Sequence, residues 1–146
     1  MDVGCGAGTA SLAYCIVNDI NKSSEIRVNL IDRSKKQIVK AKELLRYIDA
    51  NVNSVEIKEV NIADIQFEGL VMFSYVICEQ KIDDIVKLLK QCKAILIIDY
   101  EDNIMKVTRM INQSDVQMIF VSTSISEGQG NVSGCFISRR CDKICI

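Results

Sequence analysis

The sequence predicts an α/β fold: an open, mostly parallel, twisted sheet with helices on both faces and an antiparallel last strand. Three observations carry that expectation. A glycine-rich loop, Gly4-Cys5-Gly6-Ala7-Gly8, leads from a short strand into a helix-patterned run. Two nearly unbroken apolar runs, 70–77 and 94–98, have the composition of strands buried on both faces. Strand-like and amphipathic helical segments alternate along the chain until its end, where two strands follow one another with no helix between them.

In chain order, only Met1 precedes Asp2, so the first, central strand is expected to be truncated. Glycines at 4, 6 and 8 allow the sharp turn out of it. A helix is predicted over 9–20, with Leu12, Cys15, Ile16 and Ile20 on its core face. Residues 26–31 read as the second strand, ended by Asp32. Ser34-Lys35-Lys36-Gln37 fits a capping box, in which Ser34 and Gln37 satisfy each other's amides. The helix behind it runs to about residue 50, with Ile38, Ala41, Leu45 and Ile48 inward. Residues 55–60 alternate as a half-exposed edge strand. After the first apolar run, Ile82, Ile85, Val86 and Leu89 mark a helix; after the second, Ile104, Val107 and Ile111 mark another. Residues 116–121 form the sixth strand, 122–133 a polar loop, and 134–138 the last strand.

The 146 residues suffice for one domain with a proper core. Apolar residues are 49% and charged residues 25% of the chain, an ordinary globular balance. No apolar run reaches the ~18 residues of a membrane span, and no leader pattern opens the chain. A cytoplasmic protein with no membrane partner is therefore expected. The net charge of −1 indicates no phosphate-binding face, although a nucleic acid held by another segment or subunit is left open. Seven cysteines, no Cys-x-x-Cys pair and no histidine point to reduced, mostly buried thiols. The group Cys135, Cys141 and Cys145 has no familiar ligand spacing, so no metal is expected.

The loop itself implies a ligand. Glycines without Cβ atoms let a flat molecule lie against the main chain, and the following helix offers its positive N-terminus. The dinucleotide fingerprint Gly-x-Gly-x-x-Gly does not fit, because Thr9 stands where its third glycine belongs. Asp2-x-Gly4-x-Gly6-x-Gly8 instead resembles the first motif of the class I, Rossmann-like S-adenosylmethionine (SAM) dependent methyltransferases. Asp32, at the end of the second strand, falls where that family holds the cofactor ribose. The strand–strand ending resembles the close of the family's sheet, so the resemblance covers nearly the whole chain.

What the resemblance implies is methyl transfer from SAM to an unidentified acceptor by in-line displacement. It implies a cofactor site of Asp2, Gly4, Cys5, Gly6, Gly8, Asp32, Arg33, Asp64, Ile65 and Cys78, with Asp64 toward the adenine. Asp2 would orient the loop and the cofactor's ammonium end. Glu79 is the candidate catalytic residue, and Asp99 and Tyr100 are candidates for the same crevice. Cys78, without a histidine, reads as a buried structural thiol rather than a nucleophile. The absence of proline excludes the Asn/Asp-Pro-Pro-Tyr/Phe and Pro-Cys acceptor motifs. The resemblance also implies a lid over the pocket, supplied by a preceding segment or a second subunit. The alternative readings are a methyltransferase-like scaffold without catalysis and an NAD-binding fragment.

Overall fold

A computed structural model describes residues 1–20, 27–48, 51–56, 67–111, 116–123 and 132–139. Asp64, Ile65, Cys141 and Cys145 lie outside them, as does 57–60, the far end of the expected third strand. The strands are β1 (Asp2–Val3), β2 (Arg27–Asp32), β3 (Asn51–Glu56), β4 (Leu70–Ser74), β5 (Ala94–Tyr100), β6 (Val116–Thr123) and β7 (Val132–Arg139). The helices are α1 (Thr9–Ile20), α2 (Lys35–Leu45), α3 (Ile82–Leu89) and α4 (Glu101–Arg109). Hydrogen-bonded strands follow the order β3-β2-β1-β4-β5-β7-β6. Among the described residues, no helix is long and apolar enough to cross a membrane.

The chain divides into two compact units. The first comprises Met1–Val60 with Met72–Ser74. Its strands are parallel: β1 lies between β2 and β4, with Asp2 opposite both Leu30 and Met72, and β2 pairs with β3 from Arg27↔Asn51 to Asp32↔Glu56. The buried residues Cys15, Val28, Leu30, Ile38, Ala41 and Leu45 form its core. The α2 stripe Ile38, Ala41 and Leu45 is buried as its spacing predicts.

On α1 Cys15 is buried and Leu12 partly buried, as expected, and the side chain of Ile20 lies outside the described ones. Ile16 is exposed, however, and Ser11 turns inward instead. The physical reason is Ser11, whose hydroxyl donates to Asp2 Oδ2 at 2.6 Å. A buried carboxylate needs that donor more than the core needs Ile16. The Ser34 cap forms, its Oγ accepting from the Gln37 amide at 3.4 Å, but it is not reciprocal. The Ser34 amide donates to Asp32 Oδ1 at 2.7 Å, and Gln37 Oε1 is left buried with no partner among the described residues.

The second unit comprises Asn61–Val71 with Tyr75–Ile146. In it β7 pairs antiparallel with β5, Ala94↔Ser138 to Tyr100↔Val132, and with β6, Val116↔Arg139 to Thr123↔Val132. The antiparallel ending is as expected, with both strands longer than the sequence suggested. In β4, whose Met72–Ser74 belong to the first unit, Val71, Met72 and Phe73 are all buried, as an unbroken apolar run predicts. That run was expected to stay extended to Ile77, yet β4 stops at Ser74. Tyr75 takes a positive φ of 56°, and Ile77–Glu79 forms a 3-10 turn. Ile77 is buried in that turn, so apolarity there marks burial rather than strand.

Candidate functional site

The turn from β1 into α1 is a loop whose glycines 4, 6 and 8 all have positive φ, at 67°, 50° and 83°. Only glycine takes that region without strain. The end of β2 ties the loop down. The Gly4 and Cys5 amides both donate to the Ile31 carbonyl, at 2.8 and 3.0 Å, and the Gly6 amide donates to Asp32 Oδ2 at 2.9 Å. The Gly8 amide closes a turn onto the Cys5 carbonyl at 2.8 Å, and the Gly8 carbonyl takes the Leu12 amide at 2.9 Å as α1 begins. Asp32 thus holds the loop with one oxygen and the start of α2, through Ser34, with the other.

Two of the glycines do different work. A Cβ on Gly8 would meet Ala41 Cβ at 2.8 Å and Ala41 Cα at 3.0 Å, so this glycine lets the loop pack on α2. A Cβ on Gly6 would meet nothing within 4 Å. Gly6 faces open space, where a ligand can approach the main chain.

Asp2 is wholly buried, with Oδ2 bonded to Ser11 and Oδ1 without a partner among the described residues. Burial raises its pKa above the ordinary 3.8, against the pull of the Ser11 hydrogen bond. Cys5, also buried, has its thiol pushed up to about 12 by burial and then by the charges of Asp2 and Asp32. It stays protonated and is no nucleophile.

The first unit therefore brings together Asp2, Gly4, Cys5, Gly6, Gly8 and Asp32, with exposed Arg33 next in the chain. The second unit carries the remaining described candidates. Glu79 is exposed in the 3-10 turn. Cys78, expected to be a buried thiol, is exposed there too, because the chain leaves the strand before reaching it. Asp99 is buried at the end of β5 and Tyr100 is half exposed. Among the described residues no group of His, Cys, Asp or Glu is placed to hold a metal ion.

The family described as "Methyltransferase domain" matches residues 1–138. The chain belongs to that family. Solved structures share the fold of this methyltransferase domain. An rRNA methylase from Streptococcus thermophilus is 12% identical with a TM-score of 0.68, over 94% of this chain and 84% of its own. A magnesium protoporphyrin IX methyltransferase from Synechocystis, solved with bound SAM, is 14% identical with a TM-score of 0.64, over 95% of this chain and 68% of its own. A ribosomal-protein methylase from Lactobacillus delbrueckii is 15% identical with a TM-score of 0.59, over 96% of this chain and 69% of its own. No curated protein matches the chain in sequence. At these identities the likeness is one of fold, and the three names carry three different acceptors.

The residues of the methyltransferase domain fit the cofactor of its class. An unpartnered buried carboxylate oxygen on Asp2 suits a cationic donor, the ammonium of SAM. The open side of Gly6 suits the close passage of a ligand along the loop. Sequence reasoning missed Ser11, which supports Asp2, and Asn103, which donates to Asp99 Oδ1 at 2.8 Å. A serine three residues after Gly8, on the inward face of a helix, was the available signal for the first. For the second it was an amide four residues after a carboxylate.

Proposed function

We propose that this domain binds SAM on the β1–α1 loop and transfers its methyl group to an acceptor. The observation that carries this reading is the use of the loop amides. In a dinucleotide site such amides face a pyrophosphate. Here the Gly4, Cys5 and Gly6 amides are taken by Ile31 and Asp32, and the Gly8 amide by Cys5. Two carboxylates, Asp2 and Asp32, flank the loop instead, which disfavours a doubly charged anion and favours a cation.

When bound, SAM supplies an activated methyl on a positively charged sulfur. The chain's residues would bind and orient it: the Asp2 carboxylate would balance the ammonium's charge, and Gly6 would give room along the main chain. Asp32 would accept from the ribose hydroxyls with the lone pairs its two amide contacts leave. Alignment of acceptor and methyl supplies the acceleration, up to roughly 7–11 kcal/mol in well-oriented systems. Five free cysteines among the described residues fit a reducing compartment, and we assign the domain to the cytoplasm.

Calorimetric titration with SAM, S-adenosylhomocysteine (SAH) and NAD tests the reading. SAM and SAH should bind and NAD should not. Binding of NAD alone would refute it.

A further inference from the structure

In the second unit β6 stands at the end of the strand order: β7 pairs along one side of it, and no described strand lines the other. An edge strand presents a row of unpaired amides and carbonyls, which proteins commonly protect with lysine, proline or a bulge. β6 carries none of these. Its sequence, Val-Gln-Met-Ile-Phe-Val-Ser-Thr, holds no charge and no proline, and its register with β7 runs from Val116↔Arg139 to Thr123↔Val132 without a skipped partner. The strand at the other end of the order, β3, contains Asn51, Asn53, Ser54 and Glu56.

The middle of β6 is apolar and exposed on both of its faces. Ile119, Phe120 and Val121 are 51%, 50% and 61% exposed. Successive side chains of a strand point to opposite faces, so Ile119 and Val121 share one face and Phe120 lies on the other. Phe120 stands opposite Cys135, which is wholly buried, and Ile119 stands opposite Phe136, which is partly buried. Around these residues the chain's own packing therefore ends at β7. A helix laid on one face would cover Ile119 and Val121, or Phe120, and never all three. A strand added along the edge borders both faces at once.

We propose that β6 is a self-association edge, along which a second copy of this chain adds its own β6 in antiparallel pairing. A twofold axis normal to the sheet keeps both faces continuous and passes through a residue. Placed at Phe120, it sets that ring against its own copy, Ile119 against Val121, and Gln117 against Thr123. Met118 against Ser122 is the single mixed pair. The strand thus complements itself, as an isologous interface requires, and apolar cross-strand pairs stabilise it. A foreign strand would need no such mirror symmetry. Charge does not oppose the pairing. Within β7 the charged residue is Arg139, opposite Val116 at the start of β6, and the nearest charges in sequence, Asp115 and Glu127, fall outside the strand. The whole chain carries a net charge of only −1, too little to hold copies apart. Pairing occupies the edge, so association closes at a dimer. The inference is independent of the cofactor reading.

Sedimentation velocity of the full chain over a concentration series, with amide hydrogen exchange at each end of the series, tests the proposal. The unaltered chain should sediment as a dimer when concentrated and dissociate on dilution. Amides of β6 that do not bond to β7 should exchange faster as it does. Phe120→Lys sets like charges directly opposite one another and should weaken association by about tenfold or more, and Val121→Lys should weaken it similarly. Phe120→Leu should retain it. Both lysine variants replace side chains that are already exposed, so their melting curves should match that of the diluted unaltered chain. If one fails to fold, the other variant and the concentration series still decide. A monomer at every concentration, association beyond a dimer, a dimer that both lysine substitutions leave intact, or β6 exchange that ignores concentration would each overturn the proposal.

Discussion

The Asp2 carboxylate is buried with one oxygen satisfied and the other not, and that asymmetry has a measurable pH signature. Its folded-state pKa lies above the ordinary 3.8, chiefly through desolvation, so the folded chain holds a proton there more tightly than the unfolded chain. The contribution to stability is full below the unfolded value and is lost as pH rises through the raised one. The melting temperature of Asp2→Asn should therefore depend less on pH across that interval than the wild type's. An ammonium beside Oδ1 favours the ionised form, so cofactor binding in the same interval should release a proton. Calorimetry in two buffers of different ionisation enthalpy reads that release. Ser11 supports the same group. Ser11→Ala leaves a second buried oxygen bare and should cost about 1–3 kcal/mol in denaturant unfolding, with Ser11→Thr recovering most of it.

At the scale of elements, the loop between β1 and α1 separates two kinds of glycine. Gly8→Ala forces a Cβ against Ala41 in the left-handed region, combining strain of about 1–2 kcal/mol with overpacking of about 1–3 kcal/mol. It should lower the unfolding midpoint. Gly6→Ala carries the same left-handed strain of about 1–2 kcal/mol but meets no neighbour, so it should cost less stability than Gly8→Ala while losing cofactor affinity, as paired melting and titration measurements would show. The helices were largely legible because their apolar spacing is regular, as Ile38, Ala41 and Leu45 illustrate. What periodicity could not convey was a polar contact turning a helix, which is why Ile16 was placed inside and Ser11 was not noticed. Nor does apolarity record a backbone reversal, so the strand before Tyr75 was read too long and Cys78 too deep.

Across the whole molecule, the parallel sheet and the antiparallel direction of the last pair follow from alternation of strands and helices, whereas the strand order, with β7 between β5 and β6, is set by contacts that leave no pattern in the sequence. The cofactor class was legible for a similar reason, since three alternating glycines between two aspartates leave few alternatives. That Asp32 also fastens the loop and caps α2 was not, because hydrogen bonds to main-chain amides leave no mark on residue type. The acceptor was not legible, because no motif in the sequence names one. The central claim is that the loop of the first unit holds SAM. Amide chemical shifts of the isotopically labelled chain, recorded as SAH and then NAD are added, test it most directly. Movement of the Gly6, Ala7, Arg33 and Ser34 amides with SAH, and none with NAD, is the predicted result. Movement of those amides with NAD but not SAH, or SAH shifts confined to other parts of the chain, would contradict it.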